Sequence, residues 1–389
     1  MTDSSNFTVG NHYVPQWYQK RFLEPGSGVT TLFYLDKTPD KIYLPKGQVK
    51  LKKSLYVQGT KKCFKQDHLY TLLFGEYATD VIEKKFFGAL ERRGDEATRF
   101  FEEYSYRDGA HEAFYAMLDY LAAQLFRTPK GLQLIRELAG ATTHQRALYA
   151  LLKYWDLYKT IWSEGVWEVF HCKSSSTKFI ISDSPVSTYN RQIFPGSQEI
   201  VRFGIALFER IGTHLLFPLG PEHCLCITNL QYVRNPKIKL TKFRENPRYY
   251  GQGFFDLRKV QRGREISEDE VIAVNYIIKT NALRYVASSR EEWLHPEPLL
   301  KERFWPKLGG PYFLHPDPRK VSFTTAIISG GGKGPSLGTN EYGHYDIDNV
   351  KAKKLREVEW RTFQAAKTAW DERDRKAGRN RSNLDLDYF

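Results

Sequence analysis

Apolar and polar positions alternate along the N-terminal part of the chain. "VTTLFYLDK" and "KIYLPKGQVKLKKSLYVQG" are rich in Val, Tyr and Leu, with Pro and Gly between the runs, which predicts short strands joined by turns. In "VKLKKSLYV" the period places Val49, Leu51 and Leu55 inward and Lys50, Lys52 and Lys53 outward, beside Lys61, Lys62 and Lys65. From about Leu72 to Trp162 the period becomes helical. "EYATDVIEKKFFGALERR" gathers Val81, Phe86, Phe87 and Leu90 on one side, and "AHEAFYAMLDYLAAQLFRTP" repeats the pattern until a proline stops it. "GLQLIRELAG" and "HQRALYALLKYWDLYKTIW" continue the block. Strands are expected again in "VWEVFHC", "KFIISD", "EIVRFGIALF", "HLLFPLG" and "HCLCITNL". A helix is then expected over "SEDEVIAVNYIIKTNALRYVASS", opening on a Ser N-cap and acidic residues that suit the positive end of the helix dipole.

Strand and helix blocks that follow one another in this way predict an α+β fold, not a doubly wound sheet. N-terminal strands, a central helical block, a central mainly antiparallel sheet and a late helix form one expected domain over residues 1–290. "HPEPLLKERFWPKLGGPYFLHPDPRK" and "ISGGGKGPSLGTN" read as a Pro/Gly-rich, extended connector over 291–345. Residues 346–389 read as a basic amphipathic helix and tail, with Leu355, Trp360, Phe363, Ala366 and Trp370 near one side. Packing of that helix on the body is the favoured reading; docking on a partner protein or on nucleic acid is the alternative.

Composition adds less than charge does. The 389 residues are 41% hydrophobic and 26% charged, ordinary for a globular chain. No run approaches the roughly 18 apolar residues that cross a bilayer, so no membrane span is expected. The start, "MTDSSNFTVG", has neither the basic nor the apolar region of a secretory signal. Cys63, Cys172, Cys224 and Cys226 form no CxxC pair, which fits free thiols in a reducing cytoplasm. The net charge of +13 changes the picture, because a positive surface attracts phosphate polyanions. A nucleic-acid or nucleotide partner is therefore expected. Lys50, Lys52, Lys53, Lys61 and Lys62 are its candidate contacts, set against the plainer reading of an edge strand blunted by lysines.

Most familiar chemistry is missing. Lys333 is followed by Gly334, so the glycine loop is no Walker loop, and no GxSxG, HExxH or EF-hand pattern occurs. "HCLC" (His223 to Cys226) and His171-Cys172 offer soft ligands for zinc, but strand cysteines usually behave as small apolar side chains, and the spacing matches no zinc knuckle. The opening "NHYVPQWYQKRF" is more suggestive. Asn11-His12-Tyr13-Val14-Pro15 has the spacing of the Asp-His-Ile-x-Pro element of HNH nucleases, in which the histidine activates water and the carboxylate helps hold a metal. It departs at Asn11, a weaker ligand, and the next histidine, His68, stands in no Asn-His pair. A neutral imidazole working with Mg²⁺ or Mn²⁺ is sound hydrolytic chemistry. The structural alternative is that His12 and Pro15 fix the path of the segment, with Tyr13 and Trp17 in the core.

"NHYVPQWYQKRF", "YLDK", "LAAQLFRTP", "KFIISDSPV", "LLFPLGPEHCLCI" and "NYIIKTNALRYVASS" occur in an order that resembles a microbial family filed as domain of unknown function 4238, over about residues 11–290. The resemblance implies no established activity, only residues that converge: His12 and Gln16 from the opening, Arg127 from "RTP", Ser182 and Asp183 from "SDSPV", Asn275 and Arg284 from the late helix. On that basis the expected function is a nucleic-acid- or nucleotide-directed protein, with a metal-dependent phosphodiester hydrolase as the enzyme reading. His12 would be the general base, Asp183 a metal ligand or orienting carboxylate, and Arg127 or Arg284 the phosphate holder, with Gln16, Ser182 and Asn275 lining the substrate site. The alternatives are a non-catalytic nucleic-acid-binding module, or a protein-interaction component of a bacterial defence or toxin system.

Overall fold

The computed structural model describes residues 10–24, 26–45, 48–67, 69, 88–105, 108–140, 143–244, 257–323 and 350–378. The predicted helix face at Val81, Phe86 and Phe87, His68, the glycine loop around Lys333, the end of the connector and the last residues of the tail lie outside the described residues.

In chain order come β1 (Gly10–His12), α1 (Gln16–Lys20), β2 (Thr31–Asp36), β3 (Lys41–Tyr43), β4 (Val49–Leu51), β5 (Leu55–Gly59) and β6 (Lys65–Asp67). A helical block follows, α2 (Gly88–Glu102), α3 (Ala110–Phe126), α4 (Pro129–Ala139) and α5 (His144–Ser163). The second half holds β7 (Val166–His171), β8 (Ile181–Ser182), β9 (Ser187–Tyr189), α6 (Gln198–Phe203), β10 (His214–Pro218), β11 (His223–Thr228), α7 (Leu230–Arg234), β12 (Gln261–Glu265), α8 (Glu268–Asn281), β13 (Tyr285–Ser288) and α9 (Val350–Lys376). The fold is α+β.

A five-stranded sheet in the order β12-β7-β11-β10-β9 forms the centre, antiparallel except where β12 meets β7. Its inner strands β7, β10 and β11 are buried almost end to end, as expected of a sheet covered on both faces, while the edge strand β12 is largely exposed. The two-residue period of a strand divides them between two cores. Trp167, Val169, Leu225 and Ile227 join the core beneath α2, α3 and α5, while Phe170, Cys172, Cys224 and Cys226 join the core beneath α8. A second sheet, β5-β2-β13-β8, is antiparallel throughout and ties N-terminal strands to late ones. Two ribbons, β1–β6 and β3–β4, complete the strands.

Four stretches depart from the sequence reading. "EIVRFGIALF" alternates like a strand, but its first part forms α6: the Ser197 side chain accepts from the Ile200 N–H, Glu199 sits in the first turn, and Gly204 ends the helix at φ 76°. These cap signals outweigh the alternation of Ile and Val. The late helix starts with the expected Ser267 cap, completed into a capping box by Glu270, yet it stops at Asn281. The β-favouring Tyr-Val that follows pairs with β2 and β8. "VKLKKSLYV" breaks into β4 and β5, and Val49 and Leu51 are 53% and 56% exposed, because β4 pairs only with β3 in a two-stranded ribbon and no sheet or helix among the described residues covers that face.

The described part of the connector is not extended. It turns through four short 3-10 segments, Glu291–Leu294, Glu297–Leu299, Trp305–Lys307 and Pro318–Lys320. Prolines suit these tight turns, having φ already fixed and no N–H to satisfy. Leu294, Trp305, Leu308, Phe313 and Leu314 belong to the core under α8. Helix α9 packs on the body: Phe363 is buried with Val166, Val233 and Val321, and Trp370 meets Tyr312 edge-on at 5.6 Å. Arg319 pins it through Asp371 at 3.0 Å and Asp374 at 2.6 Å. Two of the three aromatics offered above to a partner are thus already covered, and Trp360 remains 46% exposed.

Candidate functional site

The opening motif crosses the surface of the helical block with its backbone held by side chains. Arg127, at the end of α3, donates from Nη2 to the His12 carbonyl at 2.8 Å and pairs through Nη1 with Glu91 at 2.8 Å. Gln124 Nε2 donates to the Tyr13 carbonyl at 2.8 Å, and Gln19 Nε2 to the Val14 carbonyl at 2.8 Å. The Tyr13 N–H reaches the Phe64 carbonyl at 3.2 Å. Past its short pairing with β6 the segment has no ladder among the described residues to satisfy its carbonyls, and buried amide and guanidinium groups supply the partners. Pro15 then opens α1, on which Gln16 is partly buried and Tyr18 stacks on Phe217 at 5.1 Å. These contacts fix the path of the segment, with Tyr13 in the core and Trp17 packed against it.

His12 itself is partly exposed. Its Nε2 lies 3.1 Å from the Lys61 carbonyl. A carbonyl only accepts, so Nε2 carries the proton and Nδ1 the lone pair. Burial, with Lys65 and Arg127 acting the same way, lowers the His12 pKa against the opposing Lys61 carbonyl and Glu91, and the ring is neutral at neutral pH. Beside it, Phe64 is held at φ 49° with its N–H on the Tyr34 hydroxyl at 3.2 Å. Such a conformation costs a bulky residue on the order of 1–3 kcal/mol. It turns Cys63 and Phe64 into the core and leaves Lys61 and Lys62 in solvent.

Asp183 does not join His12. It is 2% exposed and accepts three backbone N–H groups, from Leu283 at 2.8 Å on Oδ1 and from Arg284 at 2.6 Å and Tyr285 at 2.8 Å on Oδ2. Burial raises its pKa, while those N–H groups and Lys130 hold it down. The carbonyls on the other side of this turn are bound as well, Asn281 by Lys130 Nζ and Lys279 and Ala282 by Lys37 Nζ. Cations at a helix C-terminus and a carboxylate on the amides just beyond it lock the corner between α8 and β13. Asp183 is a turn clamp with both oxygens committed. It departs from the expectation of a metal ligand or catalytic carboxylate.

The remaining residues implied by the resemblance are also bound into the frame. Ser182 Oγ accepts from the Ser184 N–H at 3.2 Å. Asn275 ties α8 to the chain before β8, accepting from the Ile180 N–H at 3.2 Å and donating to the Lys178 carbonyl at 2.8 Å. Arg284 pairs with Asp36 at 2.7 Å and Asp40 at 3.0 Å. A cleft of about 550 Å³ opens nearby, lined by Asp36, Lys37, Tyr276, Lys279 and Glu297. Its charges satisfy one another: Lys279 pairs with Glu297 at 2.7 Å, Asp36 with Arg284, and Lys37 caps the helix.

The lysines present the opposite picture. Lys50, Lys52, Lys53, Lys61 and Lys62 are all exposed. Lys52 pairs with Asp40 at 3.0 Å, and the other four make no ion pair among the described residues. The cysteines of "HCLC" are buried apolar side chains, with burial raising the Cys226 thiol to about 12. Among the described residues, no group of three or more His, Cys, Asp or Glu side chains is placed to hold a metal ion.

Residues 161–292, from the end of α5 through β13, match the profile of a family described as a protein of unknown function, DUF4238. Over that segment the chain is similar to the DUF4238 family. The DUF4238 segment contains Asp183, its turn at 283–285, Ser182, Asn275 and Arg284, and thus the locked corner; His12, Gln16 and Arg127 precede it. No curated protein and no solved structure matches the chain. Among the described residues, no helix is long and apolar enough to cross a membrane.

Lys130 and Lys37 were not singled out from the sequence. For Lys130 a signal existed in "TPKG". A Cβ on Gly131 would lie 1.9 Å from the Leu125 carbonyl, so the start of α4 is pressed against the end of α3, and the neighbouring Lys130 is buried there.

Proposed function

We propose that the protein binds nucleic acid through the lysines of the β3–β4 ribbon, the link to β5 and the turn between β5 and β6. The observation that carries this reading is that Lys50, Lys53, Lys61 and Lys62 are exposed with no ion pair among the described residues, whereas the arginines discussed above are paired. An unpaired exposed lysine keeps its full charge for phosphate, and its contacts release condensed counterions. The net charge of +13 favours encounter with a polyanion. Affinity for a labelled duplex is expected to fall steeply with salt, and more gently after Lys50, Lys53, Lys61 and Lys62 are replaced together by Gln. Salt-independent binding, or binding untouched by the substitutions, would remove the reading.

A hydrolase reading has one support, the neutral His12 with its Nδ1 lone pair beside the Lys61–Lys65 turn. Asp183 brings no carboxylate to it, and Glu91 is held by Arg127. The assay is cleavage of labelled nucleic acid with Mg²⁺ or Mn²⁺. Activity that His12→Ala abolishes without a change in Tm would favour catalysis; absence of cleavage by the parent protein would leave binding alone.

A further inference from the structure

Resting on the nucleic-acid reading above, we propose that the β3–β4 ribbon takes single-stranded nucleic acid, with Tyr43 as the platform on which an unpaired base stacks. The register sets Lys41 opposite Leu51, Ile42 opposite Lys50 and Tyr43 opposite Val49. Cross-strand partners share a face, and faces alternate along a strand. Tyr43, Val49 and Leu51 therefore lie together with Lys41 on one face, while Ile42 and Lys50 occupy the other. Tyr43 is 78% exposed, and Val49 and Leu51 more than half.

Charge selects the occupant of this apolar face. Lys41 on this face and Lys53 beyond Leu51 are exposed with no ion pair among the described residues, and Lys52, paired with Asp40, and Lys50 on the opposite face add to the positive charge of the ribbon. A second copy of the chain would bring the same lysines against them, and the excess of +13 opposes that approach. A single strand offers what the ribbon lacks on both counts, phosphates for the ammonium groups and a flat base for the phenol ring. In a duplex the base faces are stacked on one another and closed to Tyr43. Stacking on an aromatic side chain is sequence-tolerant, so the class of ligand is fixed by strandedness and not by base order.

Fluorescence anisotropy with the full chain, a labelled oligothymidylate and a duplex of equal charge would test this at fixed salt. The single strand is expected to bind more tightly, Tyr43→Ala to weaken it by about 5- to 150-fold while leaving the duplex unchanged, and Tyr43→Trp to restore it. Circular dichroism melts would check that Tyr43→Ala leaves the fold intact. If the parent protein binds both ligands and Tyr43→Ala weakens neither, or both alike, the platform is overturned and the lysine reading stands. If the parent protein binds neither, both fall. A concentration-dependent dimer that Tyr43→Ala dissolves would assign the face to a second copy and overturn the proposal.

Discussion

At the α8–β13 corner, Asp183, Lys130, Lys37, Asp36 and Arg284 are each bonded to backbone or to one another, whereas Lys50 and Lys53, in and beside the β3–β4 ribbon, stand in solvent with no carboxylate paired to them among the described residues. The corner carries Asp183, expected as a catalytic or metal-holding carboxylate; the ribbon carries lysines expected to contact nucleic acid, with a lysine-blunted edge strand as the plainer alternative. The difference follows from what surrounds each charge. A buried charge has to be satisfied by the fold and is then committed to it, while an exposed one has water as its partner and can exchange water for a ligand.

The hardest test of this contrast is to break the clamp. Asp183→Ala leaves three backbone N–H groups without their acceptor and Lys130 without its nearby carboxylate, and is expected to cost about 3–5 kcal/mol. Asp183→Asn keeps the shape but turns an amide donor toward backbone donors, so it should also destabilise. Urea denaturation reads both. A protein that keeps its midpoint after Asp183→Ala would make Asp183 a candidate site residue once more.

The clamp also predicts a dependence on pH. Burial brings the Lys130 ammonium down to about 8, against roughly 10.4 for a free lysine. Below pH 8 the folded and unfolded chains both carry the proton. Between about 8 and 10.4 the unfolded chain alone holds it, so this group makes stability rise with pH across that window. Lys37, whose pKa burial also lowers, acts in the same sense. Lys130→Met should flatten the rise in urea midpoint between about pH 7.5 and 9.5, and the paired comparison cancels other groups that titrate there. Equal slopes in the two proteins would show that Lys130 keeps its proton throughout.

How far the sequence reaches can be judged residue by residue. Helices α3 to α5 follow from apolar period and local caps, Thr128 before Pro129 and Gly140 after α4, all signals within one turn. The Ser267 box is local too. Asp183 stood out in "SDSPV", but the turn it holds lies about a hundred residues further along the chain, and no local pattern names it. For the ribbon, alternation announced a strand with two unlike faces. It could not say whether either face is covered, since that depends on what packs behind it. His12 shows the same limit: its backbone partner Arg127 is 115 residues away.

The smallest stability effect is the sharpest statement about the ribbon. Replacing Lys50, Lys53, Lys61 and Lys62 together by Gln removes no ion pair among the described residues and touches side chains that stand in solvent. Surface substitutions of this kind change stability by no more than about 0.5 kcal/mol each, and relief of like-charge repulsion in a chain of net charge +13 tends to offset even that. The expected melting curve overlays that of the parent. Binding should respond in the other direction, with the slope of log K against log salt falling by about one for each phosphate that a lysine no longer neutralises. A variant that melts early would mean that these lysines hold structure as Lys130 does, and the two regions would then differ in burial but not in role.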